Sequence, residues 1–197
     1  MLKTGLCIVL FALAAGCAPK QKPLTDYVNP LLGTATLWDS VDLGFKPTKR
    51  TWGAEVFPGS SLPNAMVQVS PVTKFHSGAG YQYEDSVIYG FTHTNKGHWN
   101  LCHIPLLPVT GTPTPGDYCS PFSHERESAA PGYYQVFLDR YGVDAQLSST
   151  LRCAFHKYTY PAGAAASLLA DLQRSNEHVR AVSYTHLRAH ETLANLV

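Results

Sequence analysis

The chain has 197 residues, of which 15 are basic, 14 are acidic and 45% are apolar. This balance of charge provides no basic surface for nucleic acid or for an anionic membrane, so we expect no nucleic-acid partner. The apolar fraction is sufficient for a folded core, and the length suits one domain or a part of a larger protein.

The first residues predict an export signal. Lys3 gives a positive start, the apolar run "LCIVLFALAA" is too short to span a bilayer, and small residues precede Cys17. This resembles a bacterial lipoprotein signal, with Ala14 where that pattern has Leu, Val or Ile. We expect residues 1–17 to be the signal with its lipobox, Cys17 to be lipidated, and residues 18–26 to be a tether. A soluble secretory signal with an incidental cysteine is the alternative.

The resulting anchor would hold the protein in the bacterial cell envelope. No acidic run follows Cys17, so we expect the periplasmic face rather than the cell surface.

Three cysteines remain beyond the signal: Cys102, Cys119 and Cys153. They form no Cys-x-x-Cys pair and show no regular spacing. We interpret these three as buried or idle thiols rather than as a disulfide framework or a zinc site.

Beyond the tether the sequence predicts short strands separated by turns. Four segments carry alternating or short apolar patterns: "NAMVQVSPV" (64–72), "IPLLPVTG" (104–111), "GYYQVFLDRYG" (132–142) and "AFHKYTYP" (154–161). The alanine-rich segment 162–172 is compatible with a helix, but we favour a buried strand. The pattern predicts an all-β chain folded as an antiparallel β-sandwich. The stretches 37–52 and 113–131 are predicted to be long and irregular, where a site would lie.

One segment, "GFTHTNKGHWNLCHIP" (90–105), is unusually rich in polar and aromatic side chains. Its histidines, His93, His98 and His103, are five residues apart, a spacing that brings them together neither on a strand nor on a helix. We therefore do not predict a transition-metal site from this spacing.

Two interpretations of this segment remain open. In an extended chain, His98 and Asn100 would share one face and Trp99 would point to the other. The polar side chains could satisfy the loop backbone while Trp99 fills the core. Alternatively, the ring of Trp99 could stack on a sugar while neighbouring amide and imidazole groups bind its hydroxyls.

Five blocks, in this order, carry a family resemblance: "YVNPLLGT" (27–34), "FPGSSLPNAMVQVSP" (57–71), "GYQYEDSVIYGFTHT" (80–94), "LLPVTG" (106–111) and "FSHERESAAPGYYQVFLDRYGVDAQLSSTLRCAFHKYTYP" (122–161). Together they resemble the N-terminal domain of glycoside hydrolase family 92. The chain departs from that family in a longer segment before "FPG" and in "PNAMVQ", where the family has "PFGMVQ". We expect residues 27–181 to form this domain, incompletely.

The resemblance implies a secreted, calcium-dependent, inverting exo-α-mannosidase that removes terminal mannose from N-glycans or mannan, with α-1,2 linkage as the default. In the family, an (α/α)6-barrel follows the sandwich and holds the acid, the base and most calcium ligands. We therefore expect no catalytic residue and no metal ligand in this chain, and an inactive fragment. The sandwich would supply substrate contacts: His93, His98, Trp99 and Asn100. A non-catalytic glycan-binding lipoprotein is the alternative.

Two pairs of acidic residues lie in predicted loops. We interpret both pairs, Glu84 with Asp85 and Glu125 with Glu127, as solvated loop charges.

The last residues depart from the family pattern. The segment 182–197 contains "VSYTHLRAHET", which resembles translated library-adapter sequence, so we expect a non-native tail on a truncated gene product. A charged native tail is the alternative.

Overall fold

The structure is a computed structural model that describes residues 22–36, 56–75, 79–94, 104–114 and 116–171. Within these ranges the chain is all-β, with two short 3-10 turns at Leu24–Tyr27 and His124–Arg126. The predicted fold class is confirmed. No helix in these ranges is long and apolar enough to cross a membrane.

The described strands fall into antiparallel sheets. Their bounds are β1 Ser60–Ser61, β2 Gln68–Val72, β3 Val87–Ile88, β4 Gly90–Thr92, β5 Leu106–Thr110, β6 Ser120–Pro121, β7 Glu127–Ala130, β8 Tyr133–Leu138, β9 Val143–Ser149, β10 Ala154–Thr159 and β11 Ala166–Ala170. One sheet has the order β1, β2, β4, β5, β11, and the other has the order β10, β9, β8, β7. β3 and β6 form a separate pair.

The four-stranded sheet is a meander whose inner face is set by simple alternation. On β8, Tyr134, Val136 and Leu138 are fully buried, as the sequence predicts, and the residues between them are partly exposed. Each fully buried aliphatic side chain of this kind stabilises the fold by about 1.5–3 kcal/mol. Gly132 and Gly142 connect the strands in left-handed conformations, with φ of +76° and +64°, which glycine adopts without a steric penalty.

The five-stranded sheet packs its inner face onto this meander. Val69, Phe91 and Val109 are fully buried in one cluster with the inner residues of β8 and β9. A buried hydroxyl pair also links the two layers, because Oγ of Ser60 lies 2.7 Å from Oγ of Ser149. The core of the domain therefore lies between the two sheets.

The structure differs from the sequence prediction at one strand boundary and in one region predicted to be irregular. β2 begins at Gln68 rather than at residue 64, because Asn64 has a φ of +58° and the amide of Ala65 donates to the carbonyl of Leu62 in a turn. The prediction that 113–131 is irregular is wrong, since it contains β6, a 3-10 turn and β7. These strands have only two and four residues, too short for a visible alternation. The other stretch, 37–52, lies outside the described residues.

The alanine-rich segment is a strand, as predicted, but it is not buried: four of its five residues are exposed and Leu169 is half-buried. β11 pairs antiparallel with β5, with Ala166 opposite Thr110 and Ala170 opposite Leu106. This pairing overrides the helix preference of alanine. Cys119 and Cys153 are free thiols, but Cys119 is only half-buried and Cys153 is exposed, so neither is the buried thiol expected, and Cys102 lies outside the described residues.

Candidate functional site

Of the residues predicted to contact a ligand, His93 lies within the described part of the chain. It directly follows β4 and is half-buried. His98, Trp99 and Asn100 lie outside the described residues, as does Cys17, so their predicted roles stay predictions.

A row of hydrogen bonds joins His93 to the edge strand of the other sheet. Its Nδ1 lies 3.2 Å from the carbonyl oxygen of Ile104, and its Nε2 lies 3.0 Å from Nε2 of His156. Nδ1 of His156 in turn lies 2.6 Å from the hydroxyl of Tyr158. Both nitrogens of His93 thus have partners inside the domain, and a hydrogen bond from His93 to a ligand would replace one of them.

The alternation of β10 places two members of this row. His156 and Tyr158 are half-buried, whereas Phe155 and Lys157 are exposed on the opposite face. Tyr158 also stacks on the fully buried ring of Phe91, with ring centroids 6.3 Å apart. Because Phe91 belongs to β4, this contact and the His93–His156 contact hold the same two strands together.

Burial keeps the three titratable groups of the row neutral at pH 7. It lowers the pKa of His93, and it lowers the pKa of His156 to about 4, with the neighbouring His93 as the second cause. Burial, with a smaller effect of Tyr160, raises the pKa of Tyr158. Each shift disfavours the charged form of its group.

The carbonyl that accepts from His93 belongs to a residue with an unusual backbone. Ile104 has a φ of +50°, a left-handed conformation that β-branched residues rarely adopt. Such a conformation persists where the surroundings hold it. The hydrogen bond from His93 supplies one such restraint, at the base of the connection between β4 and β5.

Sequence reasoning did not single out His156 or Tyr158. The sequence does contain a pattern that indicates them, because the two rings are two residues apart on a predicted strand and therefore share a face. Since Ala154 lies on the same face, the pattern puts two polar rings in a layer that otherwise contains apolar side chains. A polar group facing inward on a strand requires a partner.

A second polar cluster lies around Glu127, and here the sequence interpretation is wrong. The side chain of Glu127 is 0% exposed, so it is not a solvated loop charge. Its Oε1 accepts from the hydroxyls of Tyr81, at 2.9 Å, and Tyr134, at 2.6 Å. Its Oε2 lies 2.5 Å from Nδ1 of His124. These donors explain the burial, because a buried carboxylate requires hydrogen bonds and an opposite charge.

His124 is held on both sides of its ring. Its Nδ1 faces the carboxylate of Glu127, and its Nε2 lies 2.7 Å from the carbonyl oxygen of Tyr83. Both ring nitrogens therefore have an oxygen partner within the domain. The ring also stacks on Tyr83, with centroids 4.0 Å apart. The contact between Glu127 and His124 therefore fixes the 3-10 turn to the core.

The other acidic pair, Glu84 with Asp85, links separate loops through hydrogen bonds. Glu84 is exposed, and its carboxylate accepts from the backbone amide of Thr36 at 2.7 Å and from its hydroxyl at 3.2 Å. Asp85 accepts from the hydroxyl of Thr73 at 2.9 Å. These contacts connect separate segments of the chain, so the role of the two carboxylates is structural.

The described ranges contain no group of three or more His, Cys, Asp or Glu side chains that could hold a metal ion. The carboxylates of Glu84, Asp85 and Glu127 face protein donors instead. We therefore assign no calcium ligand within these ranges and derive no catalytic step through a metal.

Comparison with known proteins identifies the domain. The chain matches the model of the glycosyl hydrolase family 92 N-terminal domain over residues 27–194. Its structure is similar to that of a family 92 α-mannosidase from Bacteroides thetaiotaomicron in complex with mannoimidazole, with a TM-score of 0.60 and 32% identity, over 71% of this chain and 18% of that chain.

Two further structures show the same similarity. The family 92 glycosyl hydrolase ccman5 is 29% identical with a TM-score of 0.59, over 75% of this chain and 20% of its own. An inverting family 92 mannosidase from Bacteroides thetaiotaomicron is 26% identical with a TM-score of 0.60, over 77% of this chain and 20% of its own. This chain therefore spans about a fifth of the length of the solved proteins. No curated protein matches it.

The family match covers most of the chain, and the antiparallel sandwich and the identity to solved members agree with it. The chain belongs to glycoside hydrolase family 92, of which it carries the N-terminal domain.

Proposed function

We propose that this chain is the N-terminal part of a secreted α-mannosidase that removes terminal mannose from N-glycans or mannan. The observation that carries the proposal is the family match over residues 27–194, supported by 32% identity to an α-mannosidase that was solved with mannoimidazole. The preferred linkage in this proposal is α-1,2.

In this proposal the chemistry belongs to a following domain and the sandwich supplies substrate contacts. An inverting glycosidase uses two carboxyl groups about 6.5–9.5 Å apart, one as acid and one as base for a water. Glu84 and Asp85 are engaged in hydrogen bonds between loops and Glu127 in its buried cluster, which supports locating that pair elsewhere. Calcium, when bound there, would help to hold and distort the sugar.

The proposed contacts lie along the β4–β5 connection. His93 and Ile104 mark its base in the structure, and His98, Trp99 and Asn100 lie between them in the sequence. An aromatic ring with adjacent imidazole and amide groups suits the apolar and hydroxyl faces of a hexose. Sites of this kind are common where two domains meet.

The test begins with the genomic DNA that follows the codon of Val197. We expect a continuing frame that encodes a large helical domain with paired carboxylates. The protein expressed from that frame should release mannose from α-1,2-linked mannobiose and lose this activity with a calcium chelator, and the 197-residue chain should release none. A verified stop codon at this point, with glycan binding by the chain itself, would instead establish a non-catalytic binding protein.

A further inference from the structure

A shallow depression lies on the outer face of the four-stranded sheet, the face turned away from the core. Two aromatic residues line it, Phe155 on β10 and Tyr133 on β8, and both lie opposite Ser148 of the strand between them. Because neighbouring strands are about 4.8 Å apart, these two residues are separated by about 10 Å. The small side chain of Ser148 leaves a depression of about 240 Å³ open at this place.

Polar side chains with fixed orientations adjoin the depression. The carboxylate of Asp144 accepts from Nε2 of Gln135 at 2.8 Å and from Nε2 of Gln146 at 2.7 Å. The hydroxyl of Tyr133 donates to Oε1 of Gln135 at 2.9 Å. Gln146 lines the depression, and its amide is held in one orientation with its Oε1 and a second N–H still able to bond. A ligand would not have to order these groups, which lowers the cost of binding.

The charges of this surface favour a neutral ligand. Lys157 lines the depression, and Asp144 on the neighbouring strand has the opposite charge. An anion such as a phosphate is bound by several cationic donors, which one lysine does not supply. The core of a protein interface is apolar, whereas Phe155 is followed by Ser148 across the sheet and by Lys157 along the strand.

The larger depression at the other end of this face is less suitable. It has a volume of about 350 Å³ and is lined by Glu125 and Arg126 beside Phe137. The guanidinium of Arg126 already lies over the ring of Phe137, 4.2 Å from its centroid. The aromatic ring that the domain leaves uncovered is that of Phe155, which is 60% exposed.

We propose that the outer face of the meander binds a neutral sugar, with one hexose ring against Phe155. The C–H groups of a hexose pack on an aromatic ring, and its hydroxyls can bond to the amide of Gln146 and the hydroxyl of Tyr133. Such a ligand would remove from water the apolar surface of Phe155. That the sugar is mannose rests on the proposed function, whereas the preference for a neutral sugar follows from the surface itself.

The test uses the ¹⁵N-labelled 197-residue chain, titrated with α-1,2-linked mannobiose to millimolar concentration. We expect saturable shifts of the backbone amide signals of Gln146, Ser148 and Phe155. The absence of shifts, or shifts confined to residues of the five-stranded sheet, would overturn the proposal.

Three variants identify the groups that bind. Phe155→Ala should weaken binding by about five- to tenfold, because the stacking surface is lost, and Gln146→Ala should weaken it by about fivefold. Leu168→Ala is the control, since Leu168 is also exposed, at 53%, but belongs to the other sheet, and its affinity should be unchanged. All three side chains lie on outward faces or edges, and the same spectra show whether each variant is folded. Equal affinities of Phe155→Ala and Leu168→Ala would overturn the proposal.

Failure of this proposal and failure of the proposed function give different results. If the longer protein releases mannose while mannobiose does not shift the signals of the outer face, the sugar site alone is refuted. If the longer protein releases no mannose while Phe155→Ala still weakens sugar binding, the proposed function fails and the sugar site stands.

Discussion

Glu127 is a carboxylate whose side chain has no exposed surface. Two tyrosine hydroxyls and the ring of His124 replace the water that it loses on folding. Burial also raises the pKa of Tyr81 and of Tyr134, with the charge of Glu127 as the second cause in each. The tyrosines therefore remain donors throughout the pH range in which the domain would be studied.

We expect Glu127→Gln to lower the free energy of unfolding by about 2–4 kcal/mol, because it removes the charge that His124 and the tyrosine donors face. Urea unfolding of the 197-residue chain measures this change. Glu125→Gln is the matched control, since Glu125 is exposed and should change the value by less than about 0.5 kcal/mol. Equal midpoints for both variants would show that the Glu127 cluster contributes little.

His156 gives the domain a second, pH-dependent contribution to stability. Its pKa is about 4 when folded and about 6.5 in an unfolded chain. Between these values the unfolded state binds a proton that the folded state does not, so stability should fall as pH falls from about 6.5 towards 4, by at most about 3 kcal/mol. Thermal unfolding of wild type and His156→Gln across this range checks this, and the variant should lose less. Parallel profiles would contradict it.

Residue roles were predictable where one local pattern determines them. The buried face of Tyr134, Val136 and Leu138 follows from alternation alone. The burial of Glu127 does not, because its donors Tyr81 and Tyr134 come from other segments, and one of them lies 46 residues away. The pairing of His156 with His93 spans 63 residues, beyond the reach of any local spacing.

At the scale of elements, β1 and β2 approach each other so closely that a glycine is required beside them. A Cβ atom on Gly59 would lie 2.0 Å from the carbonyl oxygen of Val69 and 2.5 Å from Cα of Ser70. Both atoms are backbone of β2, so a side chain could not be accommodated by rotation. The strands would have to separate.

Gly59→Ala should therefore cost about 3 kcal/mol of stability through overpacking. Gly132→Ala is the control, because Gly132 has a φ of +76° but no atom within 4 Å of the added Cβ, and only the conformational cost of about 1–2 kcal/mol applies. Melting temperatures of the two variants separate these causes. A smaller loss for Gly59→Ala than for Gly132→Ala would contradict the steric explanation.

Elements were predictable in proportion to their length and alternation. β8 and β11 were placed correctly, whereas β6 and β7 were missed because two and four residues carry too little periodicity. The composition of 162–172 left both helix and strand possible. In the structure, pairing with β5 makes the segment a strand. That pairing depends on the whole fold and cannot be seen in the segment alone.

At the scale of the whole molecule, the proposed lipid anchor is tested by one substitution. Cys17→Ser should release the protein from membranes, because a serine cannot carry the thioether-linked lipid. Fractionation of bacterial cells measures the shift from the membrane to the soluble fraction. Cys153→Ser, which removes an exposed free thiol, should leave the distribution unchanged. Membrane association that persists in Cys17→Ser would refute the anchor.

The division of strands between the two sheets also has a consequence for the order in which the domain assembles. β7 to β10 are consecutive in the chain and each pairs with the next, so their contacts close short loops and should form early. β11 pairs with β5, although the whole meander, β7 to β10, lies between these two strands in the sequence. Such distant contacts form slowly because a long loop must close first. We therefore expect that, as the chain leaves the ribosome, β5 keeps one edge unpaired until β11 has been synthesised, and that the first sheet is completed last.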